Sequence, residues 1–210
     1  VTTILQTIAK PALLYWAVSS SVGYIDEVIK DGKDKTSWED IIINAKKEPD
    51  RIKHESADRG RKVHKFIENF IRGEKEEKPE GLEGYINCFL KYIEENKVEL
   101  LESEVQIYNK EKEGSYCGTL DIICKKDNEL ILLDVKTSKN FYPENLLQTA
   151  AYQTAYEKMF DKKISKRIVL KLSNFKDPET IITDELEKDY NAFLSVLKTY
   201  NYLEEFKNER

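Results

Sequence analysis

The stretch from Asp121 to Lys136, Asp-Ile-Ile-Cys-Lys-Lys-Asp-Asn-Glu-Leu-Ile-Leu-Leu-Asp-Val-Lys, constrains the fold more than any other part of the chain. It is two short apolar strands joined at Asp127-Asn128. A two-residue loop pairs Lys126 with Glu129 and, counting outward, Asp121 with Asp134. Opposed residues share a face, with Cβ atoms roughly 4.5–5.5 Å apart. Two carboxylates about 5 Å apart, at an effective dielectric near 20, repel by roughly 3 kcal/mol. A sheet holds such a pair only with positive charge beside it. Lys136, two residues after Asp134 and so on the same face, is one source, and a divalent cation is the other.

Alternation places Thr119, Asp121 and Ile123 on one face, with Leu132, Asp134 and Lys136. Leu120, Ile122 and Cys124 share the other with Ile131, Leu133 and Val135, and this wholly apolar face belongs in the core. The first face turns polar only at the strand ends, where Gly118 lets a ligand approach the backbone. Such an arrangement fits a site, or a surface salt bridge of Lys136 with one or both aspartates. Paired carboxylates with an adjacent lysine suit metal-assisted phosphodiester hydrolysis. Hard divalent cations take oxygen ligands, polarise a phosphate oxygen and acidify a bound water. The lysine orients that water or stabilises charge developing on phosphorus.

Around the hairpin the pattern is mixed. Pro11 suits the first turn of a helix carrying Leu13, Leu14, Trp16, Ala17 and Ser20. Ser37 suits the N-cap of a helix from Trp38 to Lys47, and Asp50 that of a longer one ending near Gly73, with Val63, Phe66, Ile67, Phe70 and Ile71 as its stripe. A further helix covers Leu82 to Asn96. Strands are predicted over Val98–Tyr108, Tyr116–Lys125 and Glu129–Thr137, then a helix from Pro143 to about Phe160. A strand over Ile164–Leu172, a short one at Ile181-Ile182 and a helix from Leu186 to Phe206 complete the chain. This order predicts a mixed α/β sheet in one domain: a helical part over 1–97, a sheet core over 98–173 and a closing strand and helix over 174–210.

No apolar run approaches the ~20 residues that span a bilayer, and Val1–Gln6 lacks the blocks of a signal peptide. Cys88, Cys117 and Cys124 have no Cys-x-x-Cys spacing, which fits reduced thiols and an intracellular, cytoplasmic protein. The net charge of −5 gives no global signature of nucleic-acid binding. Local basic clusters exist at Arg59, Arg61, Lys62 and Lys65, and at Lys158, Lys162, Lys163, Lys166 and Arg167; they fit nucleic-acid contacts and equally fit solvated helix ends.

Gly118-Thr-Leu-Asp121 followed by Leu133-Asp134-Val135-Lys136-Thr137-Ser138 resembles the active-site hairpin of the PD-(D/E)XK nuclease superfamily. Three more stretches resemble its RecB-like branch: Gln148-Thr-Ala-Ala-Tyr152, Gly60-Arg-Lys-Val-His64 through Glu68, and Glu102-Ser-Glu-Val-Gln106. The run from Glu102 to Tyr152 is most similar to mitochondrial genome maintenance exonucleases and their phage relatives, with a weaker echo from Val1 to Trp16.

The resemblance implies a restriction-endonuclease-like core: helix, three-stranded antiparallel meander, helix and strand, with additional N-terminal helices and a C-terminal helix. It implies Asp121, Asp134, the Val135 carbonyl and His64 as metal ligands and Lys136 as catalytic. An imidazole suits Mn²⁺ better than Mg²⁺, so either ion is expected to serve. Gly60 and Glu68 share the His64 stripe at four-residue spacing, while His54 reads as surface. Glu102 would bind a second metal or hold a water, with Glu104, on the same strand face, as its competitor. Gln148 and Tyr152 would support the site or touch nucleic acid; Tyr152 also fits a core tyrosine with a polar tip. Thr137 and Ser138 would bind phosphate or simply end the strand.

No cysteine follows Cys124, so the iron–sulfur cluster of some relatives is not expected, and no Gly-x-x-x-x-Gly-Lys-[Ser/Thr] motif suggests ATP. The expected activity is a metal-dependent deoxyribonuclease, chiefly an exonuclease on single-stranded DNA or ends, in replication, recombination or repair. Arg59, Arg61 and Lys62, with Tyr15, Trp16 and Tyr24, would favour single strands. A restriction-type endonuclease and an inactive binding module are the alternatives.

Overall fold

The computed structural model describes residues 1–32, 37–112 and 114–208. It divides into a larger unit, Val1–Ile8 with Gly60–Arg210, and a smaller one, Ala9–Arg59. The helices are α1 (Thr2–Leu5), α2 (Pro11–Lys30), α3 (Trp38–Ile71), α4 (Glu83–Asn96), α5 (Pro143–Phe160) and α6 (Leu186–Asn208). The strands are β1 (Glu99–Glu111), β2 (Gly114–Lys126), β3 (Glu129–Lys136), β4 (Lys166–Lys171) and β5 (Glu179–Thr183). Among the described residues, no helix is long and apolar enough to cross a membrane.

The strands form one sheet in the order β1-β2-β3-β4-β5. Only β3 and β4 run parallel, because α5 carries the chain back between them; the other pairs are antiparallel. This is the mixed α/β architecture expected from the element order. The β2–β3 turn has φ 51° at Asp127 and 68° at Asn128, two left-handed residues that match the twist of a two-residue hairpin. Lys126 pairs with Glu129, and the ladder runs outward to Ile122 and Leu133.

Each face of the sheet is covered. Leu120, Ile123 and Leu132 pack with Ile4 and Leu5 of α1, Ala151, Ala155 and Tyr156 of α5, and Phe193 and Leu197 of α6. Ile122, Cys124, Leu133 and Val135 pack with Val63, Phe66 and Ile67 of α3 and Ile86, Phe89 and Tyr92 of α4. Leu120 thus lies on the opposite side from Ile122, contrary to the face assigned by simple alternation. The reason sits between them: Asp121 pairs with neither β1 nor β3 in the ladders, and the strand reverses its facing there.

The sequence also predicts a break near Asp50, whereas α3 is continuous with Pro49 inside it. Its start is as expected: the Ser37 hydroxyl oxygen accepts from the Asp40 N–H at 3.1 Å. Arg167 belongs to neither reading of its basic cluster. It is fully buried, its guanidinium 2.7 Å from the Asp189 carboxylate of α6 and donating to the Leu146 carbonyl of α5 at 3.0 Å. Arg167 therefore ties β4 to both helices of that layer.

Candidate active site at the end of the central hairpin

Strand β3 ends in a buried carboxylate. Asp134 is wholly inaccessible, and its Oδ2 lies 2.7 Å from the Lys136 ammonium. That contact is a buried ion pair, and Oδ1 has no hydrogen-bond partner among the described residues. Burial pushes the Asp134 carboxyl above its usual range, which the Lys136 charge only partly offsets and the Asp121 charge reinforces. For Lys136, burial favours loss of the proton, but Asp134 and Asp121 outweigh it and push the ammonium up to about 12.

The peptide of Val135 organises the other half of the site. Its N–H donates to Asp121 Oδ2 at 2.8 Å, and its carbonyl lies 3.1 Å from His64 Nε2. With Nε2–H donating to that carbonyl, Nδ1 faces two carboxylates, Asp121 Oδ1 at 3.7 Å and Glu104 Oε1 at 3.8 Å. One donor atom each from His64, Glu104 and Asp121 lies within 4.8 Å of the others, the spread of ligands around a single ion. Backbone distortion makes this possible. Glu104 has φ 51°, a left-handed conformation that costs a non-glycine residue roughly 1 kcal/mol or more. Like Asp121 across from it, Glu104 is skipped by the β1–β2 ladder, which shifts register between Leu100 and Glu102.

Glu102 is elsewhere. It accepts from the Tyr156 hydroxyl of α5 at 3.3 Å and lies 3.8 Å from Lys162. Glu102 and Glu104 thus point to opposite sides of the sheet instead of sharing a face. The signal for this is absent from residue type, because a left-handed glutamate inside a strand violates the alternation used to place it.

Behind Lys136, Gln148 Nε2 of α5 donates to the Tyr152 hydroxyl at 3.0 Å, and both residues are buried. Burial, reinforced by Asp121 and Asp134, pushes the phenol up to about 12, so it stays neutral. The Tyr152 ring fills the space beside Gly118: a Cβ there would sit 2.7 Å from Tyr152 Cε1. Gly118 therefore accommodates a protein side chain rather than a ligand. Gly118→Ala is expected to cost about 1–3 kcal/mol through overpacking and to displace Tyr152, read as a lowered thermal midpoint with a parallel fall in activity.

Thr137 Oγ1 lies 3.6 Å from where a Cβ on Gly60 would be, so α3 runs close to the end of β3. Ser138 donates to the Asn140 carbonyl at 2.8 Å, which closes the following loop. Arg61 is exposed on α3, Arg59 is half-buried at the end of the smaller unit, and His54 is exposed.

Three carboxylates against one ammonium leave excess negative charge, and His64 responds to it. Burial opposes its charge, but Asp121, Glu104 and Asp134 outweigh burial and the Lys136 repulsion, pushing the imidazole up to about 9. The folded pKa exceeds the unfolded one, so protonated His64 stabilises the metal-free fold fully below about pH 6.5. That contribution, about 3 kcal/mol, is lost as pH rises through about 9. Urea denaturation of chelator-treated protein between pH 6 and 9.5 should show this decline, and His64→Gln should flatten it. Equal slopes for the two proteins would refute the assignment.

No family model matches the sequence, and no curated protein matches it. Among solved structures the chain is similar to the crystal structure of a "Putative exonuclease" from Eubacterium rectale. The TM-score is 0.43 at 13% identity, over 65% of this chain and 62% of that one, so the chain spans less than two thirds of that protein's length. So distant a likeness decides nothing about residues or chemistry.

Proposed function

We propose that this protein is a divalent-metal-dependent deoxyribonuclease with a RecB-like PD-(D/E)XK site, acting as an exonuclease on single-stranded DNA or DNA ends in replication, recombination or repair. The observation that carries the reading is the convergence of His64, Glu104 and Asp121 beside a buried Asp134–Lys136 pair, achieved by breaking the sheet at Glu104 and Asp121. A surface salt bridge does not account for it, since Asp134 is buried with one oxygen unpartnered.

Oxygen donors with one imidazole suit Mg²⁺ and Mn²⁺. Asp121, Glu104 and His64 would hold the ion, with the unpartnered Asp134 oxygen as a further donor and the Val135 carbonyl as the partner that orients His64. When bound, the ion would polarise a phosphate oxygen and lower the pKa of a water. Lys136, held protonated and fixed by Asp134, supplies positive charge where oxygen on phosphorus becomes more negative. Gln148 and Tyr152 hold the wall behind it as a neutral hydrogen-bonded pair.

The test is incubation of 5′- and 3′-labelled single- and double-stranded DNA, with a circular control, in Mg²⁺, Mn²⁺ or chelator. Metal-dependent degradation of linear single strands from an end is expected. Cut circles would make it an endonuclease, and no cleavage with either metal would overturn the nuclease reading.

A further inference from the structure

The sheet presents the loops after its two parallel strands, β3 and β4, at the same end as Asp134 and Lys136. Lys136 pairs with Lys171, and the Leu172 N–H donates to the Lys136 carbonyl at 2.8 Å, so the loops leave side by side. The first carries Lys139, Phe141 and Tyr142; the second carries Phe175 and Lys176. Phe175 is 92% exposed and Tyr142 47% exposed, so each of the two loops carries an aromatic ring open to solvent.

The first loop is held in place. Lys171 donates to the Lys139 carbonyl at 3.2 Å, and its ammonium sits 4.9 Å from the centre of the Phe141 ring. The Tyr142 N–H donates to Asn145 Oδ1 at 2.9 Å, which fixes the backbone at the start of α5 while the ring stays outside.

Charge complementarity identifies the occupant. The lysines of the cluster from Lys158 to Lys166 are paired with carboxylates: Lys158 with Glu111, Lys162 with Glu102, Lys163 with Glu157 and Lys166 with Glu129. The acids near the second loop are also engaged, Asp177 with Lys91 and Glu179 with Lys171. Lys139 and Lys176 have no carboxylate partner among the described residues. Free ammonium groups interleaved with exposed rings suit a chain of phosphates and unstacked bases, because every base offers a face to stack on. A duplex offers no unstacked bases to these rings.

We propose that these two loops form the single-stranded DNA-binding surface that leads into the site, with bases stacking on Phe175 and Tyr142 and phosphates meeting Lys139 and Lys176. This rests on the nuclease reading and places the strand on the catalytic unit's own loops rather than on the aromatics of α2. All four side chains are exposed, so their substitution leaves the fold intact, which thermal melts of each variant will verify.

Fluorescence anisotropy with labelled oligo(dT) in chelator measures binding without cleavage. Phe175→Ala and Tyr142→Ala are each expected to weaken single-strand binding about five-fold or more, with little change for duplex. The Lys139→Ala/Lys176→Ala double variant should reduce the log–log salt slope by about 0.7 per lysine. If wild type binds and degrades DNA but Phe175→Ala and Tyr142→Ala bind within two-fold of it, this surface is wrong and the nuclease reading stands. If wild type neither binds nor degrades DNA, both fall.

Discussion

Lys136→Met is expected to lower metal-dependent DNA cleavage by about 10²–10³-fold while binding of DNA in chelator changes little. The Lys136 side chain is 21% exposed and its ammonium is held 2.7 Å from Asp134, so it is already fixed before substrate arrives and needs no reorganisation during the reaction. Methionine keeps the apolar stem and removes only the charge, which limits the loss of packing. Asp134→Asn should be as severe for a different reason. It preserves shape but turns the oxygen facing Lys136 into a neutral amide and weakens the donor set. Steady-state cleavage beside anisotropy separates the two steps, and unchanged cleavage by either variant would remove these residues from the chemistry.

Glu104→Gln and Glu102→Gln should behave as opposites. Glu104 lies beside His64 and Asp121, so loss of its charge is expected to weaken Mn²⁺ binding and cleavage by about 10²-fold or more. Glu102 meets Tyr156 and Lys162 on the other side of the sheet, and its replacement should change cleavage by no more than a few-fold. The reverse ranking, in metal titrations of both variants, would show that the left-handed turn at Glu104 serves something other than the site.

That contrast also marks how far the sequence can be read. The hairpin was legible because its information is local: a two-residue loop fixes the register, and the register fixes which residues meet. Element order and the parallel crossover followed from alternation and helical periodicity. What escaped depends on non-local balance. Strand alternation assigned Glu102 and Glu104 to one face and Leu120 to the side of Ile122, and both assignments fail where the paired break at Glu104 and Asp121 reverses the facing. Nothing in residue type announces that break, which packing against His64 and the Val135 peptide stabilises. Arg167 looked like surface because its counter-ion, Asp189, lies on a different element. Gly118 showed that something approaches the backbone without showing that it is Tyr152. Asp50 suggested the start of a second helix, a boundary that the continuous α3 does not have.

Calorimetric titration of metal-free protein with Mn²⁺ near pH 8, in two buffers of different ionisation enthalpy, tests the central claim most directly. His64 is pushed up to about 9 and is therefore mostly protonated at that pH, so an ion that takes its Nδ1 must displace the proton. Mn²⁺ should bind in the wild type with release of about one proton per chain, and Asp121→Asn should abolish the binding. Absence of binding, binding without proton release, or binding that survives Asp121→Asn would contradict a cation site at His64, Glu104 and Asp121.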